Sequence, residues 1–132
     1  MNELKIYNLN DAINVVKEDL TAVNYYLFDE YEIHLNVLPP HTIQPWHFHR
    51  QIEEVIVVIK GKMQCLWFDA NHKHCQEIKE KQIVAVKNSI HTFKNNTNDS
   101  CEFIVFRLLL SNINKRDIFK NDKIIVDDKY HD

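Results

Sequence analysis

The apolar and polar positions of this chain are spaced for strands. Over Tyr31–Leu38, Tyr31, Ile33, Leu35 and Val37 alternate with Glu32, His34, Asn36 and Leu38, the period-two pattern of a strand with one buried face. His34 then falls on the polar face and reads as a solvated or hydrogen-bonded surface histidine. Residues 23–29, with Tyr25, Tyr26, Leu27 and Phe28, are apolar on both faces and predict the strand before it. Residues 55–59 are apolar at every position, so both faces of that strand need cover. With Glu54, Ile56 and Val58 turned inward, Val55, Val57 and Ile59 require a second subunit or the chain's own ends against them.

The turn Lys60-Gly61-Lys62 leads into residues 63–68, expected to be the antiparallel partner of 55–59, and a loop over 69–74 leads into a strand over 75–78. Residues 83–86, 91–93 and 101–110 predict three more strands. At the start, residues 5–7 suit a short edge strand, and Asn10 or Asp11 suits the cap of a helical turn running to Val16. At the end, residues 112–126 are expected to dock and the charged residues 127–132 to fray. Many short strands without a long helix predict an all-β sandwich or barrel.

One glycine and three prolines are few for such a fold, so turn formation is expected to rest on Asn and Asp, as in residues 69–73 and 95–100. At 132 residues the chain is a single domain able to bury a core. A net charge of -3 supplies no basic field for nucleic acid. No apolar run reaches the roughly 20 residues that span a bilayer, and the first residues carry no signal-peptide pattern, so a cytoplasmic protein is expected. Cys65, Cys75 and Cys101 are an odd set without CxxC spacing and predict free thiols, Cys65 and Cys101 as small buried residues.

The candidate chemistry lies in residues 45–54. His47 and His49 are one residue apart on an extended segment, so their side chains point the same way and one cation could meet both imidazoles. Five residues on, a carboxylate opens the apolar strand and can return to the same point if the chain turns after Arg50. His47, His49, Glu54 and Gly61 match the first cupin motif, H-x-H-x(3,4)-E-x(6)-G, whose spacing to Gly61 selects Glu54 over Glu53. His91 and Asn95 hold the register of the second, G-x(5)-P-x-G-x(2)-H-x(3)-N, with Glu80, Val86 and Asn88 in place of its glycines and proline. The chain therefore resembles the cupin superfamily over about residues 35–110. Asn88 is expected to take over a turn glycine's left-handed conformation.

The resemblance implies a double-stranded β-helix, a form of jelly roll, spanning residues 1–132 with the terminal segments packed around the barrel. It also implies one divalent transition metal, Fe, Mn, Ni, Co, Cu or Zn, on His47, His49, Glu54 and His91. The function implied is a metal-dependent enzyme of oxygenase, isomerase or lyase type acting on a small molecule, with a non-catalytic small-molecule or metal-binding module as the alternative. Cupins of this size commonly pair through a sheet face, so a homodimer is expected. No side chain outside the ligand set is assigned as acid or base. Phe93, Phe103 and Leu66 are candidates for an apolar pocket wall. Arg107, alone among apolar neighbours, reads as a residue paired with a carboxylate or reaching the sheet edge, or else as an anion binder inside the barrel. His41 reads as a loop residue near the pocket rim, and His72 and His74 as solvated loop residues.

Overall fold

The alternating pattern becomes twelve strands in a computed structural model that describes residues 3–109 and 122–126. In chain order they are β1 (Ile13–Val16), β2 (Ala22–Leu27), β3 (Tyr31–Leu38), β4 (Thr42–Ile43), β5 (His47–Phe48), β6 (Ile52–Lys60), β7 (Lys62–Asp69), β8 (His72–Lys79), β9 (Ile83–Ala85), β10 (Ile90–Asn95), β11 (Cys101–Leu109) and β12 (Ile124–Ile125). One sheet runs β1-β2-β3-β11-β6-β9, the other β12-β5-β10-β7-β8 with β4 also on β10. Every pairing is antiparallel, and the sheets enclose one interior as a jelly roll.

Register explains what that interior holds. On the first sheet β11 lies between β3 and β6, so its inward residues meet inward residues on both sides. Cys101 opposes Leu38, Phe103 opposes Asn36 and Val58, Val105 opposes His34 and Ile56, and Arg107 opposes Glu32 and Glu54. Each two-residue step along the barrel thus moves from an apolar end to a polar one. The apolar end is closed by Met63, Cys65, Ile78, Val86 and Phe93. Each such fully buried side chain stabilises the fold by about 1.5–3 kcal/mol.

Several expectations are corrected. In β3 it is the polar set that is buried, Glu32, His34 and Asn36, while Ile33, Leu35 and Val37 lie half-buried on the outer face. His34 is therefore an interior residue. The strand over residues 62–69 does not pair with β6: it crosses to the other sheet, between β10 and β8. Gly61 makes the crossing with φ +85°, and a Cβ there would stand 2.9 Å from the Ser100 carbonyl oxygen. No strand forms at residues 5–7, and residues 13–16 are a strand, not a helix. A single 3-10 turn, Leu9–Asp11, precedes it, with the Asn8 amide donating to the Asp11 carboxylate at 2.8 Å. The β-branched Ile13, Val15 and Val16 favour the hairpin with β2 over helix.

The β7–β8 hairpin is tighter than the sequence implied. Ala70 and Asn71 both take positive φ, 49° and 68°, so a two-residue turn joins strands paired from Asp69 to His72. His72 and His74 are thus on a strand, exposed, with the His74 ring stacked on Trp67 at 5.2 Å. The left-handed residue expected at Asn88 is Lys87, φ 53°, whose amide is held by the Glu53 carboxylate at 2.9 Å. Asn95 does organise its turn, donating to the carbonyls of Leu38 and Asp99 and accepting from the Thr97 amide. Cys65 and Cys101 are buried and unpaired, as expected, and Cys75 is exposed. Burial raises the Cys65 thiol to about 12 and the Cys101 thiol to about 11. Of the docking C-terminal segment, residues 122–126 are described, with Ile124 and Ile125 paired to β5; residues 112–121 and the expected frayed end 127–132 lie outside the described residues.

Candidate metal centre

Strands β5 and β10 lie side by side with His47 opposite His91, bringing their ring centroids to 4.4 Å. His49, two residues beyond His47, repeats its direction and stands 5.2 Å from it ring to ring. Glu54 comes from β6 of the facing sheet, and its Oε1 lies 3.1 Å from His49 Nε2. All four are buried, and one ligand atom from each falls within 4.8 Å of the others, so the group could hold a metal ion. The interior is thus joined across both sheets by side chains far apart in sequence.

The donor atoms are set up for coordination. His47 Nδ1 lies 2.8 Å from the Pro45 carbonyl, and His91 Nδ1 lies 2.9 Å from the Ser89 carbonyl. Each ring donates there from Nδ1, which leaves the Nε2 lone pair for a cation. His91 Nε2 is buried without a hydrogen-bond partner among the described residues. Asp122 Oδ2 stands 3.5 Å from His49 Nδ1. That carboxylate also takes the amides of Arg50 at 3.0 Å and Gln51 at 2.8 Å, which holds the loop between His49 and β6.

Electrostatics favour the ligating protonation states. Burial lowers His47 well below its ordinary value, with His91 as a like-charge neighbour adding to the effect, and burial likewise lowers His91. Burial by itself would raise Glu54, but the His49 hydrogen bond and the nearby Arg107 charge outweigh it and hold the carboxyl well below the usual carboxylate range. Two neutral imidazoles and an ionised carboxylate are what a divalent cation requires.

Behind Glu54 is an ion network in which Arg107 makes the carboxylate pairing expected as one of its readings, with partners that the sequence did not name. Arg107 Nε lies 3.1 Å from Glu54 Oε2, and its Nη1 lies 3.1 Å from Glu32 Oε1. The same Glu32 oxygen is 2.8 Å from His34 Nε2. Arg107 is therefore a buried, carboxylate-paired residue. The chain signal was its parity with Cys101, Phe103 and Val105, which required a partner inside. His41 is exposed on its loop, 2.8 Å from Asn98 Oδ1, away from the cluster.

Beside the four residues is a cavity of about 50 Å³, lined by His47, Glu54, Asn36, Phe93 and Phe103 among others, with Lys17 and Lys123 at it too. Phe93 and Phe103 form the apolar wall expected of them; Leu66 is buried but does not line this cavity. No helix among the described residues is long and apolar enough to cross a membrane.

A family model described as Cupin matches residues 33–121. No curated protein matches the chain. Among solved structures, a variant of oxalate decarboxylase from B. subtilis superposes with a TM-score of 0.73 at 13% identity, covering 96% of this chain and 34% of that one. The polyketide cyclase RemF from Streptomyces resistomycificus gives 0.66 at 17% identity, covering 86% of this chain and 84% of that one. An oxalate oxidase gives 0.63 at 15% identity over 80% of this chain and 59% of that one. The chain spans about a third of the decarboxylase, and identities this low show the shared fold.

Proposed function

The chain belongs to the cupin family, and from that premise we propose that it is a metal-dependent enzyme acting on a small polar molecule, of oxygenase, isomerase or lyase class. One divalent transition ion is held by His47, His49, Glu54 and His91. The observation that carries this reading is the convergence of four buried ligand atoms within 4.8 Å, with His91 Nε2 left without a hydrogen-bond partner inside. Two relatives in fold are named as a decarboxylase and a cyclase, which supports small-molecule chemistry without fixing the substrate. When bound, a divalent metal with free coordination positions can polarise a carbonyl or lower the pKa of a bound water.

The residues of the chain position and insulate. The Pro45 and Ser89 carbonyls fix the His47 and His91 rings, and Asp122 stands behind His49. Arg107 takes one Glu54 oxygen and leaves the other toward His49, so the carboxylate is oriented as well as ionised. Phe93 and Phe103 restrict water on the cavity side and so strengthen every charge interaction there.

The test is metal analysis of protein purified without added metal, followed by dioxygen uptake and substrate-panel turnover on the loaded protein. About one ion per chain, abolished in His91→Ala, together with turnover, is the expected result. Full loading without turnover of any compound would return the chain to the non-catalytic binding module.

We further propose that the protein works as a cytoplasmic homodimer. The free thiols agree with a reducing compartment. Support for the dimer is the outer face of the β3-β11-β6-β9 sheet, where Leu35, Ile104, Val57 and Ile83 form one apolar row and Ile33, Phe106, Val55 and Ala85 the next.

A further inference from the structure

We infer that the cavity beside the four-residue cluster binds a small carboxylate anion, held by the Lys17 and Lys123 ammoniums at its mouth and the Asn36 amide within. This rests on the metal reading above and names the ligand class of the same site. Lys17 stands at the end of β1, on a turn closed by the Leu20 amide donating to its carbonyl at 2.9 Å, and Lys123 immediately precedes β12. Two cations from opposite ends of the chain therefore meet at one cavity, which His47 and Glu54 also line. Among the described residues neither ammonium has a carboxylate within ion-pairing distance. Lys123 is exposed as a residue, yet its ammonium is lowered to about 8, by desolvation at the mouth first and by the Lys17 charge next. Like charges drawn together without a counter-ion repel, and an anion between them removes the repulsion.

Asn36 makes the same point from inside. It is 6% exposed, lines the cavity, and its Nδ2 has no hydrogen-bond partner. A buried amide donor left unpaired is destabilising, and a ligand oxygen would satisfy it. Charge balance agrees. Among the described residues the carboxylates of Glu32, Glu54 and Asp122 are matched in number by Arg107, Lys17 and Lys123, so a divalent ion adds positive charge to a set that is otherwise balanced. Asp19, on the β1–β2 turn and bonded to the Thr21 amide at 2.9 Å, trims that excess without cancelling it. Size sets the limit: about 50 Å³ compares with the roughly 10–15 Å³ that one water needs. The ligand has only a few non-hydrogen atoms.

Calorimetric titration of the metal-loaded chain with acetate, its neutral isostere acetamide, and the larger benzoate tests this. Acetate should bind at least about tenfold more tightly than acetamide, weaken with added salt, and exceed benzoate. The Lys17→Gln/Lys123→Gln double variant should keep its metal and lose about tenfold in acetate affinity. Equal binding of acetate and acetamide at full metal loading, or unchanged acetate affinity in the double variant, overturns the inference and leaves the metal reading standing. A wild-type chain that takes up no metal overturns both, and the metal analysis tells these failures apart.

Discussion

Glu53 and Glu54 differ by one position and hence by one face of β6: Glu53 accepts the Lys87 amide at 2.9 Å on the outer side, and Glu54 is buried against His49. Glu54→Gln should therefore strongly lower metal content in plasma emission analysis, while Glu53→Gln leaves it near wild type; the reverse pattern would reverse the ligand assignment. Arg107 offers a second test, because removing it takes the shared buried cation away from Glu32 and Glu54. Arg107→Met should cost about 3–5 kcal/mol in urea denaturation, and a loss below about 1 kcal/mol would mean that water screens the pair. The buried histidines set the pH response. His34, His47 and His91 are all lowered by burial from 6.5, so as pH falls the unfolded chain takes up their protons first. Their contribution to the stability of metal-free protein is present above about pH 6.5 and is lost below it, and Glu54 adds a further loss at lower pH. The urea midpoint should fall between pH 7.5 and pH 5.5, and an unchanged midpoint would refute this. At this scale the ligands were legible because a fixed spacing carries them. Asp122, Lys17 and Lys123 were not, since nothing local links residues brought together by the closing of the barrel.

The strands show which local signals tertiary structure overrides. Alternation in β3 located the strand and its period correctly but gave no information on which set faces in. The interior here is polar at one end, so the burial rule inverts: Glu32, His34 and Asn36 go inside because Arg107 and the cavity lie there. The β6–β7 connection was misread for a related reason. A short turn with glycine suggests a hairpin, but the same turn carries the chain from one sheet to the facing one, and that topology has no local signature. Gly61 nevertheless marks the place. Its φ of +85° and the 2.9 Å approach of the Ser100 oxygen leave no room for a side chain. Gly61→Ala should destabilise by about 1–3 kcal/mol in chemical denaturation, whereas a change within about 0.5 kcal/mol would show that the turn relaxes freely.

At the scale of the whole molecule, the inversion of β3 enlarges the surface that a partner could cover. Because its polar set is inside, Ile33 and Leu35 join Val55, Val57, Ile104 and Phe106 on one outer face, half-buried by their neighbours, while Ile59 at its edge is 53% exposed and Ile83 65% exposed. The sequence had identified the β6 stripe alone, since the contributions of β3 and β11 depend on register and not on any local pattern. A contiguous apolar face of this breadth supports the proposed homodimer, a twofold pair being the commonest way for a chain to cover such a face with a second copy of itself. Val57 sits near the middle of it, paired with Ile104 on one side and Ile83 on the other. Val57→Lys should therefore remain folded, with unchanged circular dichroism, but sediment as a monomer, because two subunits would bury unpaired cations against each other. Metal content should stay at the wild-type level, since Val57 points away from the ligands. Sedimentation of the wild type as a monomer at micromolar concentration would sink the homodimer.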